Sequence, residues 1–393
     1  MDFRDTPDQA KWRTEVREFL HKEASTSLVD ESQNMGEGGR AQIGAAMREW
    51  RNRLVEKGWI APAWPKEYGG AGLGVMEQFV MNEEFAEARV ANVGGMGTSM
   101  IGPTLIIHGN DEQKKEHLSR ILRGESRWCQ GYSEPGAGSD LAALQTRAVR
   151  DGDDFVINGQ KIWTTGAHMS DWMFMLARTD PDAPKHRGIT YFLVDMKDPG
   201  VTVRPLTDLS GGHIFNEVFF EDVRVPARNV VGEINRGWYI GTTTLDFERS
   251  SIGNAVGQRQ TLEAYLKYIR EHRNDGTVNL TEAVRTEFAD RWIEAATAKM
   301  LSYRVITIQA EGRVPNHEAS IAKLFNSELS QRIARSATKA MGTYGQLTGG
   351  DRAPMRGRAA GRYMGSLSST IAGGTSEVQR GIIATRGLGL PRG

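Results

Sequence analysis

From about Thr6 to Arg123 the apolar positions recur mainly at helical spacing, as at Trp12, Val16, Phe19 and Leu20, with Pro7 suited to a first helical turn. A polar, glycine-containing stretch, Ser25 to Arg40, interrupts the pattern and is expected to be a mobile loop. Val75 to Ala88 reads as the next helix. Gly94 to Ser99, a run rich in small residues, then leads into Gly102-Pro103-Thr104-Leu105-Ile106-Ile107. From about Ser126 the period changes to two. Asp151-Gly152 and Asn158-Gly159 are tight-turn signals, and Met173 to Leu176, Ile189 to Val194 and Glu217 to Val225 supply strands. After Gly237 the helical period returns, with long segments at Trp238–His272, Glu282–Glu311 and His317–Met341. The absence of alternating strand and helix argues against a doubly wound sheet. The expected class is α+β and multidomain: an N-terminal helical domain (1–125), a middle β-barrel domain (126–235) and a C-terminal four-helix bundle (236–393).

The length of 393 residues allows several domains around a sizeable core. Lys plus Arg and Asp plus Glu number 49 each, so no basic footprint for nucleic acid or acidic membrane is expected. The single Cys129 cannot form an internal disulfide, which suits a reducing compartment, and it reads as a small buried residue. The start, MDFRDTPDQAKW, is charged from its second residue, and no apolar run is long enough for a membrane span. A cytoplasmic location is expected. The histidines are scattered without metal-ligand spacing, so no metal site is expected, and no nucleophile elbow or phosphate-binding P-loop occurs. Gly69 to Gly74, GGAGLG, offers alternating glycines but follows Trp64-Pro65-Lys66-Glu67 and not an apolar strand; it reads as a turn linking helices.

Two stretches carry chemistry. Cys129 to Asp140, CQGYSEPGAGSD, places Gly136, Ala137, Gly138 and Ser139 where backbone N–H groups can approach a phosphate or a flat ring. Gly159 to Gly166, GQKIWTTG, presents Trp163, Thr164 and Thr165 on a run read as strand-like. Together they read as one wall of a flavin pocket, although the motif alone leaves open a glycine-rich turn joining two strands. A third string, IAGGTSEVQRGIIATRGLGL, spans Ile371 to Leu390. In this order and spacing the three strings resemble the signatures of the acyl-CoA dehydrogenases, and the resemblance covers nearly the whole chain.

That resemblance implies FAD as cofactor, an acyl-CoA thioester as substrate, and a trans-2-enoyl-CoA as product, with electrons passed to an electron-transfer flavoprotein. Tyr132 and Ser133 match positions contacting the ring. Gly138 and Ser139 match positions near the pyrophosphate, Trp163 and Thr165 those stacking on the ring and bonding near its reactive nitrogen, and Thr375 and Glu377, at an expected helix start, those reaching the flavin from the last motif. In the family the Gly94–Ile107 region lines the acyl pocket, so small side chains there would leave room for a bulky acyl group; close helix packing is the alternative.

Many members place the catalytic Glu at the position of Gly373. Here the base is expected at Glu248, in TTTLDFERSSIG. On a helix, Ile240, Thr244, Glu248, Ile252 and Val256 step by four, and no neighbour three or four away can neutralise the carboxylate. Burial on such a face would raise its pKa toward that of a useful base. The Leu-x-x-Glu-Arg setting also resembles the isovaleryl-type and long-chain branches, whose base is on this helix. Asp246 and Arg249 can pair, and by resemblance lie near the pantetheine channel, where Ser139 also belongs; Gly373 would offer its backbone N–H to the thioester oxygen.

Two segments depart from the family pattern. Arg273-Asn274-Asp275-Gly276 stands where an Arg-x-x-Phe-Gly run is usual, and Lys339-Ala340-Met341-Gly342-Thr343 where a Gln-x-x-Gly-Gly run is usual. Those segments normally hold the adenine half of a neighbouring subunit's FAD, so Arg273 is carried over as a cofactor contact on this match alone. The expected assembly is at least a dimer, either a homotetramer or a heterotetramer with a related chain and flavin at half its sites. The rival enzymatic reading is an oxygen-using acyl-CoA oxidase or flavin monooxygenase of the same fold.

Overall fold

The computed structural model describes residues 4–25, 28, 44–90, 93–249 and 254–391, with backbone alone at 246–249 and 254. Most of the Ser25–Arg40 stretch lies outside the described residues. The chain forms two compact bodies: Met1–Val16, Val75–Glu87 and Arg249–Gly393 make one, and Arg17–Gly74 with Ala88–Glu248 make the other.

In element order, helices α1 (Pro7–Glu23), α2 (Ala45–Glu56), α3 (Val75–Glu87), α4 (Gly102–His108) and α5 (Asp111–Arg123) come first. Strands β1 (Trp128–Gly131), β2 (Arg147–Asp151), β3 (Asp154–Lys161), β4 (Trp172–Arg178), β5 (Ile189–Asp195), β6 (Val201–Leu206), β7 (Phe215–Pro226) and β8 (Val230–Val231) follow. Helices α6 (Gly237–Arg249), α7 (Asn254–Glu271), α8 (Glu282–Ala310), α9 (His317–Ala340), α10 (Arg358–Ser366) and α11 (Ser376–Ile382) complete the chain. A β domain therefore sits between helical segments, as the change of period predicts.

The strands pair in the order β6-β7-β3-β2-β4-β5-β8, with β1 parallel to β4. Strands well separated in that order share one core: Phe155 and Ile157 from β3, Met173 and Met175 from β4, Phe192 from β5, and Val218 and Phe220 from β7. The sheet therefore curls around a single apolar interior. Strands β4 and β5 are buried on both faces, which explains their near-continuous apolar runs. Cys129 is fully buried, and burial pushes its thiol up to about 12, in keeping with a packing role.

In the other body the helices α7, α8, α9 and α10 enclose Leu262, Tyr265, Phe288, Ala298, Leu329, Ile333 and Ala359. Helix α3 joins this body, packing Phe79 and Val80 against Ile306 and Tyr303. Arg13 bridges Asp5, Glu83 and Glu84, so the two buried carboxylates on α3 are paired within it.

Two sequence expectations are corrected by local packing. Asp151-Gly152 does form the β2–β3 turn, but Asn158-Gly159 lies inside β3, at a bulge opposite β7. Gly159 has φ +150°, and a Cβ there would lie 2.7 Å from Thr146 Cα, so close approach of backbone, not a hairpin, requires the glycine. The GQKIWTTG run also leaves the strand early: β3 ends at Lys161, and Trp163 has φ +59°. The Gly69–Gly74 segment is a turn, as expected, packed against Trp64; a Cβ on Gly70 would lie 2.2 Å from the Trp64 carbonyl oxygen.

For the Gly94–Gly102 run the packing alternative is the one the structure supports. A Cβ on Gly94 would meet Thr98 Oγ1 at 1.9 Å, one on Gly97 Ile121 at 2.8 Å, and one on Gly102 the Trp64 ring at 1.8 Å. These glycines are filled by neighbours in the same body.

A buried ion pair joins the two chemistry-bearing stretches. Lys161 Nζ, with no exposed side-chain surface, donates to Glu134 Oε1 at 2.8 Å and to the Tyr132 carbonyl at 3.1 Å. Glu134 also accepts from the backbone N–H groups of Gln145 and Thr146. Burial would raise the Glu134 carboxyl pKa, but the Lys161 charge and these donors outweigh it and hold it below the usual range. Burial pulls Lys161 down to about 8, the nearby carboxylate offsetting only part of that cost.

Gly102→Ala should destabilise the fold by about 1–3 kcal/mol or more, because Trp64 has no room to yield; a chemical-denaturation midpoint measures it. Glu134→Gln leaves the ammonium buried without its counter-charge and should cost about 3–5 kcal/mol at neutral pH, less when combined with Lys161→Met. Without Glu134 the lysine pKa falls further, so the folded variant sheds its proton at lower pH than wild type while the unfolded chain keeps its own. Stability rises wherever the unfolded chain holds more protons, so the deficit should shrink as pH rises toward about 8 and then level off. A deficit independent of pH would contradict this assignment.

Candidate active site

Strand β1 delivers Tyr132 and Ser133 into the loop that closes on itself through reciprocal backbone hydrogen bonds between Glu134 and Ala137, both 3.0 Å. Tyr132 is buried, its ring edge-on to Phe174 and Tyr191. Gly138, Ser139 and Asp140 are exposed beyond the turn, and Asp140 pairs with Lys185. A Cβ built on Gly136 or Gly138 meets nothing within 4 Å. The fold itself thus has no steric use for these glycines, which fits a surface kept clear for an incoming ligand.

The second stretch is tied to the first by Ile162, whose N–H donates to the Ser133 carbonyl at 2.9 Å. Trp163 is 60% exposed and touches Phe215 edge-on. Thr164 is buried, and its Oγ1 has no hydrogen-bond partner. An orphaned buried hydroxyl beside a large, exposed indole, next to glycines without internal contacts, fits a flat polar-edged cofactor such as FAD. Ser133, Gly138, Ser139, Trp163 and Thr165 are all at least partly exposed in this body, while Tyr132 lies buried beneath the loop.

Helix α6 packs in the same body. A Cβ on Gly241 would lie 3.1 Å from Leu176 and 3.5 Å from Tyr132 Oη, so the helix approaches β4 closely. One turn on, Thr244 is fully buried, its Oγ1 2.9 Å from Thr104 Oγ1 and 3.3 Å from Tyr191 Oη. Burial pushes the Tyr191 phenol above its ordinary range, so it stays a neutral partner in this cluster. Position 248 lies one further turn along the same helix face. The side chains of Asp246, Glu248 and Arg249 lie outside the described residues.

In the other body, Thr375 caps α11: its Oγ1 accepts from the Val378 N–H at 3.2 Å. Glu377 lies in the first turn, where a hydrogen bond from its own backbone N–H, and then Thr375 and the nearby Arg380 and Lys323, lower its pKa. Gly373 and Gly374 have φ +64° and +89°, and Gln379 Nε2 donates to the Gly373 carbonyl at 3.1 Å. Gly373 thus stands in a left-handed conformation that a glutamate adopts only under strain. Arg273 is exposed in the turn after α7, and Lys339 pairs with Glu287.

Three residues that sequence reasoning passed over emerge here. Glu134, Lys161 and Asn216 are polar, buried and bonded to the two loops. The pairing of one buried lysine on a strand with one buried glutamate in a loop was the available signal, but it needs the end of β3 and the loop after β1 to be brought together in space. Among the described residues no group of three or more His, Cys, Asp or Glu side chains could hold a metal, and no helix is long and apolar enough to cross a membrane.

Three family models match in succession: the N-terminal domain of acyl-CoA dehydrogenase over residues 6–125, the middle domain over 129–223 and the C-terminal domain over 235–388. Acyl-CoA dehydrogenase IpdE1 of Mycobacterium tuberculosis is 37% identical over 386 residues, covering 98% of both chains. Acyl-CoA dehydrogenase FadE34 of the same organism is 37% identical over 90% of this chain, which spans about half (48%) of that longer protein. Among solved structures, the Tcur3481-Tcur3483 steroid ACAD superposes with a TM-score of 0.86 at 34% identity, and the ChsE4-ChsE5 complex from Mycobacterium tuberculosis with 0.83 at 34%, each over the whole of both chains. The chain therefore belongs to the acyl-CoA dehydrogenases, the FAD-dependent oxidoreductases that share this order of helical, β and helical segments.

Proposed function

We propose that this chain is the base-bearing subunit of an acyl-CoA dehydrogenase that forms a trans-2-enoyl-CoA and passes its electrons to an electron-transfer flavoprotein. The observation that carries the reading is the contrast between positions 373 and 248. Gly373 offers no side chain and has a backbone unsuited to glutamate, whereas Glu248 continues the face of α6 that already buries Thr244. Glu248 would take the proton alpha to the thioester carbonyl. The Gly373 N–H would receive the developing oxyanion, and Asp246, Arg249 and Ser139 would hold the coenzyme A arm.

FAD would be held by Tyr132, Ser133, Gly138, Ser139, Trp163 and Thr165, with Thr375 and Glu377 matching by resemblance the family positions that reach a flavin, and when bound it would supply the acceptor for the hydride leaving the beta carbon. The thioester loses one proton and one hydride, so the product gains its double bond without water or oxygen. Arg273 remains a candidate contact to the adenine half across a subunit boundary.

A heteromeric assembly with flavin at half its sites is favoured by two local facts: Arg273 lies exposed in a turn without the usual Phe-Gly, and Lys339 is committed to Glu287. One of the solved relatives is itself a complex, ChsE4-ChsE5. The steroid enzyme among the solved relatives supports including steroid side-chain thioesters among the substrates to be tested.

Glu248→Gln keeps size and removes basicity, so flavin should remain bound while the rate of anaerobic flavin bleaching by the best acyl-CoA falls by about 10²–10⁴. Bleaching at the wild-type rate in the loaded variant would remove Glu248 as base. A panel of straight, branched and steroid side-chain acyl-CoAs that bleaches nothing would overturn the dehydrogenase reaction for this chain. Turnover with oxygen alone would replace the electron-transfer flavoprotein as acceptor.

A further inference from the structure

We infer that Asn216 is a positioning residue that holds Trp163 in its unusual backbone conformation and so sets the angle of the indole on the flavin side of the pocket; the second half of that statement rests on the proposed flavin wall. Trp163 is a bulky residue at φ +59°, a region that such side chains rarely occupy unless their surroundings enforce it. The enforcement is visible on both sides. Upstream, Ile162 N–H is held by the Ser133 carbonyl. Downstream, Thr164 N–H donates to the Asn216 carbonyl at 3.0 Å, the Asn216 side chain donates back to the Thr164 carbonyl at 2.9 Å, and Gly166 N–H donates to the Ile214 carbonyl at 2.8 Å.

The side chain of Asn216 is saturated. It has no exposed surface, and its Nδ2 also reaches the Ile214 carbonyl at 3.4 Å. Its Oδ1 accepts from His168 Nδ1 at 3.2 Å and His213 Nε2 at 2.9 Å, the two rings stacked with centroids 4.2 Å apart. Two donors and two acceptor sites are thus all used, which is the whole capacity of an amide. The Thr164 carbonyl, which can only accept, fixes which way the amide faces: Nδ2 must point to it, so Oδ1 faces the two rings and calls for the tautomers that carry a proton on His168 Nδ1 and His213 Nε2. No other residue of this size offers that combination. Aspartate keeps the acceptors and loses both donors, and serine is too short to reach both partners.

The test compares wild type with Asn216→Asp and Asn216→Ser, each alone and combined with Trp163→Phe, in flavin-loaded protein. Subtracting each Trp163→Phe spectrum isolates the emission of Trp163. Expected are a rise in acrylamide quenching of that emission, a changed visible circular dichroism of the flavin and a rise of about tenfold or more in the flavin dissociation constant, the size set by one buried polar group left unpaired. The effects of the Asn216 substitutions on the flavin should largely vanish in the Trp163→Phe background, because the two residues act in series. A general structural role would leave them additive.

His213→Phe, at the exposed side of the cluster, keeps both Nδ2 bonds and one acceptor contact, so it should fold normally and shift the Trp163 signal in the same direction by less. An unchanged Trp163 signal in both this variant and Asn216→Asp would overturn the inference. A changed Trp163 signal with an unchanged flavin spectrum and affinity would support the clamp and overturn the placement of Trp163 on the flavin wall, which separates the two claims.

Discussion

The buried pair of Lys161 and Glu134 is the interaction on which the rest of the site depends. Both groups are taken out of water, a loss recovered only because each finds several partners: the ammonium a carboxylate and the Tyr132 carbonyl, the carboxylate two backbone N–H groups besides. Lys161 and the Tyr132–Glu134 segment belong to two stretches of chain whose strands, β3 and β1, do not pair with each other. One ends in the glycine loop, the other in the Trp163 turn. A pair of apolar residues of the same volume could fill the space, but it could not specify which backbone groups must meet.

Much of the architecture was legible because periodicity is a property of single elements. The change from a period near four to a period of two marks the β domain, and Thr375 announces the start of α11 with a hydroxyl that a helix N-terminus needs. What could not be read depends on partners far away in sequence. Asn158-Gly159 carries a hairpin signal, yet the chain continues as strand because Thr146 lies against Gly159. Trp163 reads as one residue of an alternating run, and its departure from the strand is imposed by Asn216, some fifty residues later. Glu134 and Lys161 each look like ordinary surface charges until the loop after β1 folds against the end of β3.

The small residues divide into two classes that sequence treats alike. Gly94, Gly97 and Gly102 are pressed by Thr98, Ile121 and Trp64, so their lack of a side chain is consumed within the fold and not left as volume for a ligand. Gly373 is fixed by its dihedral angle, and that angle gives the departure from the family's usual glutamate a backbone reason as well as a chemical one. Position 248, where the base is proposed, lies instead in the regular backbone of α6.

Gly136 and Gly138 form the other class, with open space where a Cβ would be. Among the described residues nothing penalises a larger side chain there, so a substitution at either position should leave folding almost untouched whatever it does to a ligand. Surveys that rank variants by thermal stability or expression would pass substitutions at these two glycines as silent, and only a measurement made with the ligand present would register them.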